Sequence, residues 1–272
     1  MKTFISAMAV AIIFGLTAIS CKDDDVNAGK TFVLVHGAWQ GPFAWQTVKT
    51  NLENNGNSVI LVELPAHGTD ATSPAVVSMN VYRDKVIAAI NGTTDKVILV
   101  GHSMGGVVTS AVAEQIPNRI EKLVYVGAFV PANGQSLIDL AFQDAQSMLG
   151  PSLIPSQDQL TLDIKHENIV NIFCQDASAD AQRLMMDNYR VEPAIPFADK
   201  VTLSDANFGK VNKYYVRTAQ DHAIGTDLQT KMITAAKISN VSSLNTGHSP
   251  FLSAPADLSN ALVGIATNKT EN

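Results

Sequence analysis

Five short, mostly apolar runs separated by helical patterns constrain the fold of this chain most strongly. Strands that are buried on both faces have this β-branched composition, and parallel sheets bury both faces. The runs are TFVLV (31–35), SVILV (58–62), KVILV (96–100), KLVYV (122–126) and KYYVR (213–217), with SNVSSLN (239–245) as a weaker sixth candidate. The alternation predicts a doubly wound, mostly parallel α/β sheet of six strands.

The segments between these runs end in residues that terminate helices. WQTVKTNLENNG ends at Gly56 and VYRDKVIAAING ends at Gly92, where glycine suits a helix C-terminus. GGVVTSAVAEQIP stops at Pro117, and APADLSNALVGIAT supplies a terminal helix. A length of 272 residues and a hydrophobic content of 46% are enough for one sizeable core.

One long segment interrupts the alternation. Between GAFVP (127–131) and KVNKYYV (210–216) no run resembles a core strand, while SLIDLAFQDAQSML and DASADAQRLMMDNY are helix-like. A structureless loop of this length is uncommon in a compact domain. We therefore predict a core of residues 31–131 and 210–272, with an inserted helical cap, residues 132–209, that shapes a ligand pocket.

The N-terminal residues are expected to lie outside the folded domain. MKTFISAMAVAIIFGLTAISC combines a lysine, an apolar run and small residues, which predicts a signal peptide over residues 1–20 rather than a membrane span. LTAISC resembles a lipobox, in which Cys21 becomes the lipid-modified first residue of a bacterial lipoprotein. Residues 21–30 would be a polar tether to the outer membrane or cell surface. An ordinary cleaved signal with a periplasmic or secreted product is the alternative.

Charge and cysteine content argue against other classes. The net charge is −6 and no basic patch is present, so we expect no binding to nucleic acid. Acylation of Cys21 would leave Cys174 alone, so an intramolecular disulfide is not expected. Apolar neighbours in IVNIFCQD predict that Cys174 is a buried structural thiol.

The sequence KVILVGHSMGG places Ser103 between two glycines, after a predicted strand and before a predicted helix. G-x-S-x-G in this context is the nucleophile elbow, a sharp turn that raises the serine hydroxyl above the sheet. Side chains at Gly101 and Gly105 would collide across such a turn. The helix that follows directs its free N–H groups and positive dipole end at the site. We predict that Ser103 is a nucleophile; an ordinary tight turn is the alternative.

A serine nucleophile needs a base, and the base needs a carboxylate to orient it. His248 in NTGHSPF lies between the last predicted strand and the last helix, at the sheet edge where sites form, and His222 is its main rival. Asp221, directly after the strand in KYYVRTAQDHAIG, is the predicted orienting acid. Asp205 and Asp227 are the alternative acids.

Two backbone amides are expected to bind a developing oxyanion. Met104, which follows the nucleophile, offers one, and Ala38 in VLVHGAW offers the other, with Gly37 allowing close approach. Losing one such donor can raise a barrier by about 3–4 kcal/mol. The alternative for HGA is a plain turn at the end of a strand. Trp39 and Phe129 are candidate pocket residues, although such aromatic residues more often belong to a core.

Taken together, FVLVHGAWQGPFAW, ELPAHG, VGHSMGG, YVRTAQDHAI and TGHSPF resemble the α/β-hydrolase superfamily over residues 31–265. They are similar to the plant methylesterase and hydroxynitrile-lyase group and to bacterial esterases, including pyrethroid-hydrolase-like proteins. The resemblance implies a serine esterase that cleaves small carboxylic esters through an acyl-enzyme, without cofactor or metal. It assigns the triad Ser103, Asp221 and His248, and an oxyanion hole from the amides of Ala38 and Met104.

Two positions depart from the lyase branch of that group. The branch has threonine where this chain has Gly37, and lysine directly after the catalytic histidine, where this chain has Ser249. Both departures favour an esterase. A C–C lyase, a perhydrolase or a non-catalytic binding protein of the same fold are the alternatives, because one scaffold hosts many reactions. No motif indicates an oligomeric state.

The lipid anchor is tested by fatty-acid labelling of the full chain in a bacterial host. The wild type should carry an alkali-stable label, and Cys21→Ala should lose it because the acylated residue is gone. Cys174→Ala is the matched control and should keep the label. A label that persists in Cys21→Ala would contradict the lipoprotein assignment.

Overall fold

A computed structural model describes residues 29–268, and a six-stranded parallel sheet forms its centre. In chain order the strands are β1 (Thr31–Val35), β2 (Ser58–Val62), β3 (Val97–His102), β4 (Ile120–Val126), β5 (Leu153–Pro155), β6 (Thr161–Ile164), β7 (Glu192–Pro193), β8 (Lys213–Thr218) and β9 (Asn240–Leu244). The central sheet has the order β2-β1-β3-β4-β8-β9, and every neighbouring pair is parallel. All six predicted strands are present, and the weak candidate near residue 240 is the edge strand β9.

Helices cover both faces of this sheet. In chain order the α-helices are α1 (Gln46–Asn54), α2 (Met79–Asn91), α3 (Gly105–Gln115), α4 (Leu137–Ala141), α5 (Ile169–Phe173), α6 (Ala179–Asp187), α7 (Ile195–Ala198), α8 (Thr226–Ala235), α9 (Pro250–Ser253) and α10 (Pro255–Thr267), of which α4 to α7 belong to the inserted segment. Within β1, Phe32 and Leu34 pack in the cluster that contains α1 and α10 residues, whereas Val33 and Val35 pack with α2, α3 and α8. Successive side chains of a strand point to opposite faces. The apolar run therefore fills two cores, which confirms the doubly wound fold.

The register of the sheet brings the functional segments together at one edge. Gly101 of β3 lies opposite Val35 of β1 and Tyr125 of β4, and Val126 of β4 lies opposite Val216 of β8. The loops after β1, β3, β4 and β8 therefore leave the sheet side by side. In such folds this carboxyl edge is where ligands bind.

The inserted segment, residues 132–209, is not purely helical. It holds α4 to α7 and also a small antiparallel sheet of β5, β6 and β7. The sequence analysis missed this sheet because its strands are only two to four residues long, although QLTLDIK (159–165) around β6 alternates polar and apolar residues as a strand does. The inserted cap itself is present, and its exact limits stay a prediction.

The predicted signal peptide and the lipidation site at Cys21 lie outside the described residues, as does the predicted tether up to residue 28. In the part of the chain that the structure describes, no helix has the length and apolar content needed to cross a membrane.

Cys174 is fully buried, as predicted. Burial and the nearby charge of Asp176 raise the pKa of its thiol to about 11.

Candidate active site

Ser103 lies on a strained turn between β3 and α3. Its φ of +53° is in the left-handed region, which costs a residue with a side chain roughly 1–2 kcal/mol. A Cβ at Gly101 would lie 2.6 Å from the carbonyl oxygen of Gly105 and 2.6 Å from the hydroxyl of Thr109. A Cβ at Gly105 would lie 2.8 Å from the carbonyl oxygen of His36. Glycine is therefore required on both sides of the serine, as the elbow motif predicts.

Backbone hydrogen bonds hold this turn in place. The carbonyl of Ser103 accepts from the amides of Gly106 at 3.0 Å and Phe129 at 3.1 Å. Phe129 follows β4, so the turn is fixed by the neighbouring strand as well as by its own helix. A strained backbone conformation persists when contacts from several surrounding elements hold it in this way.

Asp221 and His248 form a buried hydrogen-bonded pair. Nδ1 of His248 lies 2.9 Å from Oδ2 and 3.0 Å from Oδ1 of Asp221. Oδ1 also accepts from the amides of Ala223 and Ile224, each at 2.8 Å, and Oδ2 accepts from the hydroxyl of Thr218 at 2.6 Å. An ionised carboxylate only accepts, so Nδ1 of His248 carries a proton, and Nε2 is the nitrogen that holds the lone pair in the neutral ring.

His102 connects this pair to the nucleophile turn. Its Nε2–H donates to the carbonyl of His248 at 2.8 Å, and the two imidazole centroids are 4.6 Å apart. Burial and the nearby His248 hold the pKa of His102 well below its usual value, so His102 is a neutral donor. His248 is thus fixed next to the residue that precedes Ser103.

Nε2 of His248 is buried and has no hydrogen-bond partner within residues 29–268. The structure does not join it to the hydroxyl of Ser103 by a hydrogen bond. In structures without substrate, catalytic hydrogen bonds of this kind are often long and tighten only in the complex. The unpaired nitrogen is nevertheless buried, on an imidazole that contacts His102, the residue before Ser103.

The rival candidates are placed elsewhere. Nδ1 of His222 faces the carbonyl of Asn171 at 2.8 Å and is used by that contact. Asp227 lies in the first turn of α8, where an acid suits the helix dipole. Within the described residues neither Asp227 nor Asp205 is hydrogen-bonded to a histidine. Of the predicted pairs, the structure brings together only Asp221 and His248.

The amides of Ala38 and Met104 are buried beside the elbow and donate to no other protein group within residues 29–268. A Cβ at Gly37 would lie 2.7 Å from the Cβ of Ser103, so the loop after β1 touches the nucleophile turn. His36 lies in the same loop, and its Nδ1–H donates to the carbonyl of Gly37 at 2.8 Å. That carbonyl belongs to the peptide unit whose N–H is that of Ala38.

His36 is a neutral donor in this arrangement. Its Nε2 accepts from the amide of Leu64 at 3.2 Å, which places the proton on Nδ1. Burial and the neighbouring positive charge of His67 lower the pKa of His36 to about 3. A fixed tautomer therefore orients the peptide unit that carries the predicted oxyanion donor.

The predicted pocket residues Trp39 and Phe129 are both buried at this edge of the sheet. The Trp39 ring packs against Phe173 and Phe197, with centroids 5.8 Å and 5.6 Å away. The structure therefore gives Trp39 a packing role, and contact of either residue with a substrate stays a prediction.

Gln229 on α8 is a supporting residue that the sequence analysis missed. Its amide nitrogen donates to the carbonyls of Thr218 at 3.0 Å and Ile224 at 2.9 Å, and its oxygen accepts from the amide of Thr218 at 3.2 Å. It holds both ends of the turn that carries Asp221. Its sequence signal is a polar residue on the face of α8 where Leu228, Met232 and Ile233 are also buried.

The sequence of this chain matches a known protein family over most of its length. A sequence model of the "Alpha/beta hydrolase family" matches residues 32–261. The chain belongs to the α/β-hydrolase family. This α/β hydrolase is 31% identical over 253 residues to putative methylesterase 13, chloroplastic, of Arabidopsis thaliana. The matched region covers 87% of this chain and 56% of that protein. It thus spans about half the length of that curated relative.

Two further matches widen the comparison. The hydrolase is 27% identical over 263 residues to the α-hydroxynitrile lyase of Arabidopsis thaliana, covering 87% of this chain and 97% of the lyase. Its fold superposes on a pyrethroid hydrolase from Sphingobium faniae JZ-2 with a TM-score of 0.77 at 21% identity, covering 89% and 99% of the two chains. The predicted resemblance to this group is confirmed.

The Asp221–His248 pair is tested by proton NMR of the intact protein. The Nδ1 proton of His248 should give a slowly exchanging, strongly downfield signal, because it is buried and bonded to a carboxylate. His248→Gln should remove that signal, and Asp221→Asn should shift it upfield. His222→Gln is the matched control and should leave the signal unchanged. Loss of the signal in His222→Gln, and not in His248→Gln, would show that the bond belongs to His222 and contradict the assignment.

Proposed function

We propose that this α/β hydrolase is a serine esterase that cleaves carboxylic esters through an acyl-enzyme on Ser103. One observation carries the proposal: Nε2 of His248 is buried and has no hydrogen-bond partner within residues 29–268, and the ring is held by Asp221 and by His102, the residue before the elbow serine. Nδ1 of His102 is also unpaired within residues 29–268, but no carboxylate there is hydrogen-bonded to its ring, whereas Asp221 is bonded to His248. The methylesterase relative supports an ester as the substrate.

The proposed acylation step moves one proton and breaks one bond. Oγ of Ser103 attacks the ester carbonyl carbon while Nε2 of His248 takes the hydroxyl proton. The carbonyl electron pair moves onto oxygen, where the amides of Ala38 and Met104 stabilise it. When the tetrahedral intermediate collapses, the bond to the alcohol oxygen breaks and His248 returns the proton to that oxygen.

Deacylation repeats these roles with water. His248 takes a proton from water as the water attacks the acyl carbonyl, and then returns a proton to Oγ of Ser103. Asp221 stabilises the imidazolium in both halves without becoming protonated itself. The amides of Ala223 and Ile224 and the hydroxyl of Thr218 donate to the carboxylate and hold it in place beside the imidazole.

The surroundings of the site favour small, uncharged esters. Ser103 is only 8% exposed, and the Phe173 ring from the cap lies 5.8 Å from the imidazole of His248. Desolvating a charged acyl group in such surroundings would be costly. The name of the methylesterase relative supports a small alcohol such as methanol as the leaving group.

The residue after His248 argues against lyase chemistry. Ser249 is buried, and its hydroxyl accepts from the side-chain amide of Gln40 at 3.1 Å, so no ammonium group stands at that position. An assay with cyanohydrins separates the two activities. Release of cyanide without ester hydrolysis would favour the lyase.

Export with a lipid anchor at Cys21 is a separate proposal. It is supported by the apolar leader and by the lipobox-like sequence alone. It would place a small-molecule esterase at a membrane surface.

The triad is tested by steady-state hydrolysis of short p-nitrophenyl esters. Ser103→Ala removes the nucleophile and His248→Ala removes the base, and each should lower kcat by about 10⁴–10⁶-fold. Asp221→Asn should lower kcat by about 10⁴-fold, because the imidazole is no longer held in the tautomer that can act as a base. His222→Ala and Asp227→Asn are the matched controls and should stay close to the wild type. Full activity in Ser103→Ala would refute the proposal.

A further inference from the structure

Glu192 is a buried carboxylate that the proposed mechanism does not use. It lies on β7 of the cap and is 0% exposed. Its Oε2 accepts from the backbone amide of Trp39 at 2.9 Å and from Nε2 of His67 at 2.7 Å. Its Oε1 accepts from the hydroxyl of Tyr82 at 3.0 Å. Three donors from the core thus converge on one cap side chain.

His67, the partner of Glu192, is held in its charged form. Its Nδ1 lies 3.0 Å from the carbonyl of Pro65, so both ring nitrogens face groups that only accept. A neutral imidazole can donate from one nitrogen only. Burial alone would lower the pKa of His67, but the charge and hydrogen bond of Glu192 raise it overall. The pair is therefore a buried ion pair whose separation would leave an uncompensated charge.

Trp39 has a strained backbone that the cap maintains. Its φ is +58°, a rare conformation for a bulky residue. Its amide is held by Glu192, its indole N–H donates to the carbonyl of Leu162 at 2.9 Å, and its carbonyl accepts from the amide of Arg190 at 3.4 Å. Phe173 and Phe197 pack on the ring. All five partners belong to the inserted segment 132–209.

The Trp39 amide is part of the peptide unit that directly follows Ala38. His36 holds the carbonyl of the preceding unit, and Glu192 holds the N–H of the following unit. The two contacts fix both peptide planes around Ala38, whose own N–H has no acceptor in the part of the chain that the structure describes. The contact from His36 comes from the same loop, whereas the contact from Glu192 comes from the cap.

We propose that Glu192 is a positioning residue for the oxyanion hole, so that the cap must be packed on the core before Ala38 can stabilise the transition state. This inference rests on the proposed esterase function. Glu192 touches neither the substrate nor the reacting atoms. Removing it frees the Trp39 amide and leaves the His67 imidazolium unpaired, and the strained loop can then relax away from the position that the oxyanion requires.

The test compares Glu192→Ala and Glu192→Gln in p-nitrophenyl acetate hydrolysis. Glu192→Ala should lower kcat about 10²-fold, the loss that a misplacement of about 1 Å produces, while KM changes little. Glu192→Gln should show a smaller but measurable loss of kcat, about three- to tenfold, because its amide oxygen can still accept from Trp39 while the charge opposite His67 is gone. Affinity for a trifluoromethyl ketone, which forms a tetrahedral adduct on the serine, should fall in parallel with kcat.

Two matched variants separate positioning from general stability. Tyr82→Phe removes the donor to Oε1 only and should retain kcat close to the wild type. Glu114→Gln alters a second carboxylate between the core and the cap, which accepts from the amides of Ser204 and Phe208 and is not part of the loop after β1. Glu114→Gln should lower the thermal midpoint without changing kcat per folded molecule. Circular dichroism gives the folded fraction of each variant, and labelling to completion with a fluorophosphonate counts the molecules that have a reactive serine.

Each outcome decides the inference. A selective loss of kcat and of ketone affinity in Glu192→Ala, with partial rescue by Gln, supports it. Wild-type kcat in Glu192→Ala overturns it, as does a loss that disappears once activity is expressed per folded molecule. If Glu192→Ala does not fold, Glu192→Gln decides alone, and unchanged kcat and ketone affinity in that variant overturn the inference. If the wild type itself hydrolyses no ester, the proposed function fails instead.

Discussion

The rest of the site depends on the buried hydrogen bond between Nδ1 of His248 and the carboxylate of Asp221. It decides which ring nitrogen carries the proton and therefore which one can act as a base. The bond forms because β8 and β9 are neighbours, so that the turn after β8 and the loop after β9 meet at one edge of the sheet. Thr218 and Gln229 hold the first of these loops, and His102 holds the second.

Buried histidines at this edge differ in charge because their partners differ. His36 and His102 each have one nitrogen that donates to a carbonyl, and burial keeps both neutral. His67 faces a carbonyl and a carboxylate, and it is charged. In the proposed mechanism His248 moves between the two states, since one nitrogen faces a carboxylate and the other has no hydrogen-bond partner within the described residues. Histidine residues thus have three roles at this edge of the sheet: a neutral hydrogen-bond donor, a buried cation and, in the proposed mechanism, a general base.

Local patterns were sufficient to predict the central sheet and the members of the candidate triad. Apolar runs such as VILVGH mark buried strands, and the G-x-S-x-G motif marks the elbow, although the contact that requires glycine at Gly105 comes from His36 on a distant part of the chain. The pair of His67 and Glu192 could not be predicted in this way, because the partners are 125 residues apart in sequence and neither has a local signature. The short strands β5 to β7 were missed because pairing between them, rather than propensity, holds them.

The central claim is that Ser103 is the residue that becomes acylated, and peptide mass spectrometry of the covalent adduct tests it most directly. The purified protein is treated with a fluorophosphonate, digested, and the modified residue is assigned by fragmentation. The account predicts one adduct, on Ser103 in the peptide that contains GHSMGG, and its loss in His248→Ala because the hydroxyl is no longer activated. An adduct on another residue, or labelling of Ser103 at the same rate in His248→Ala, would contradict it.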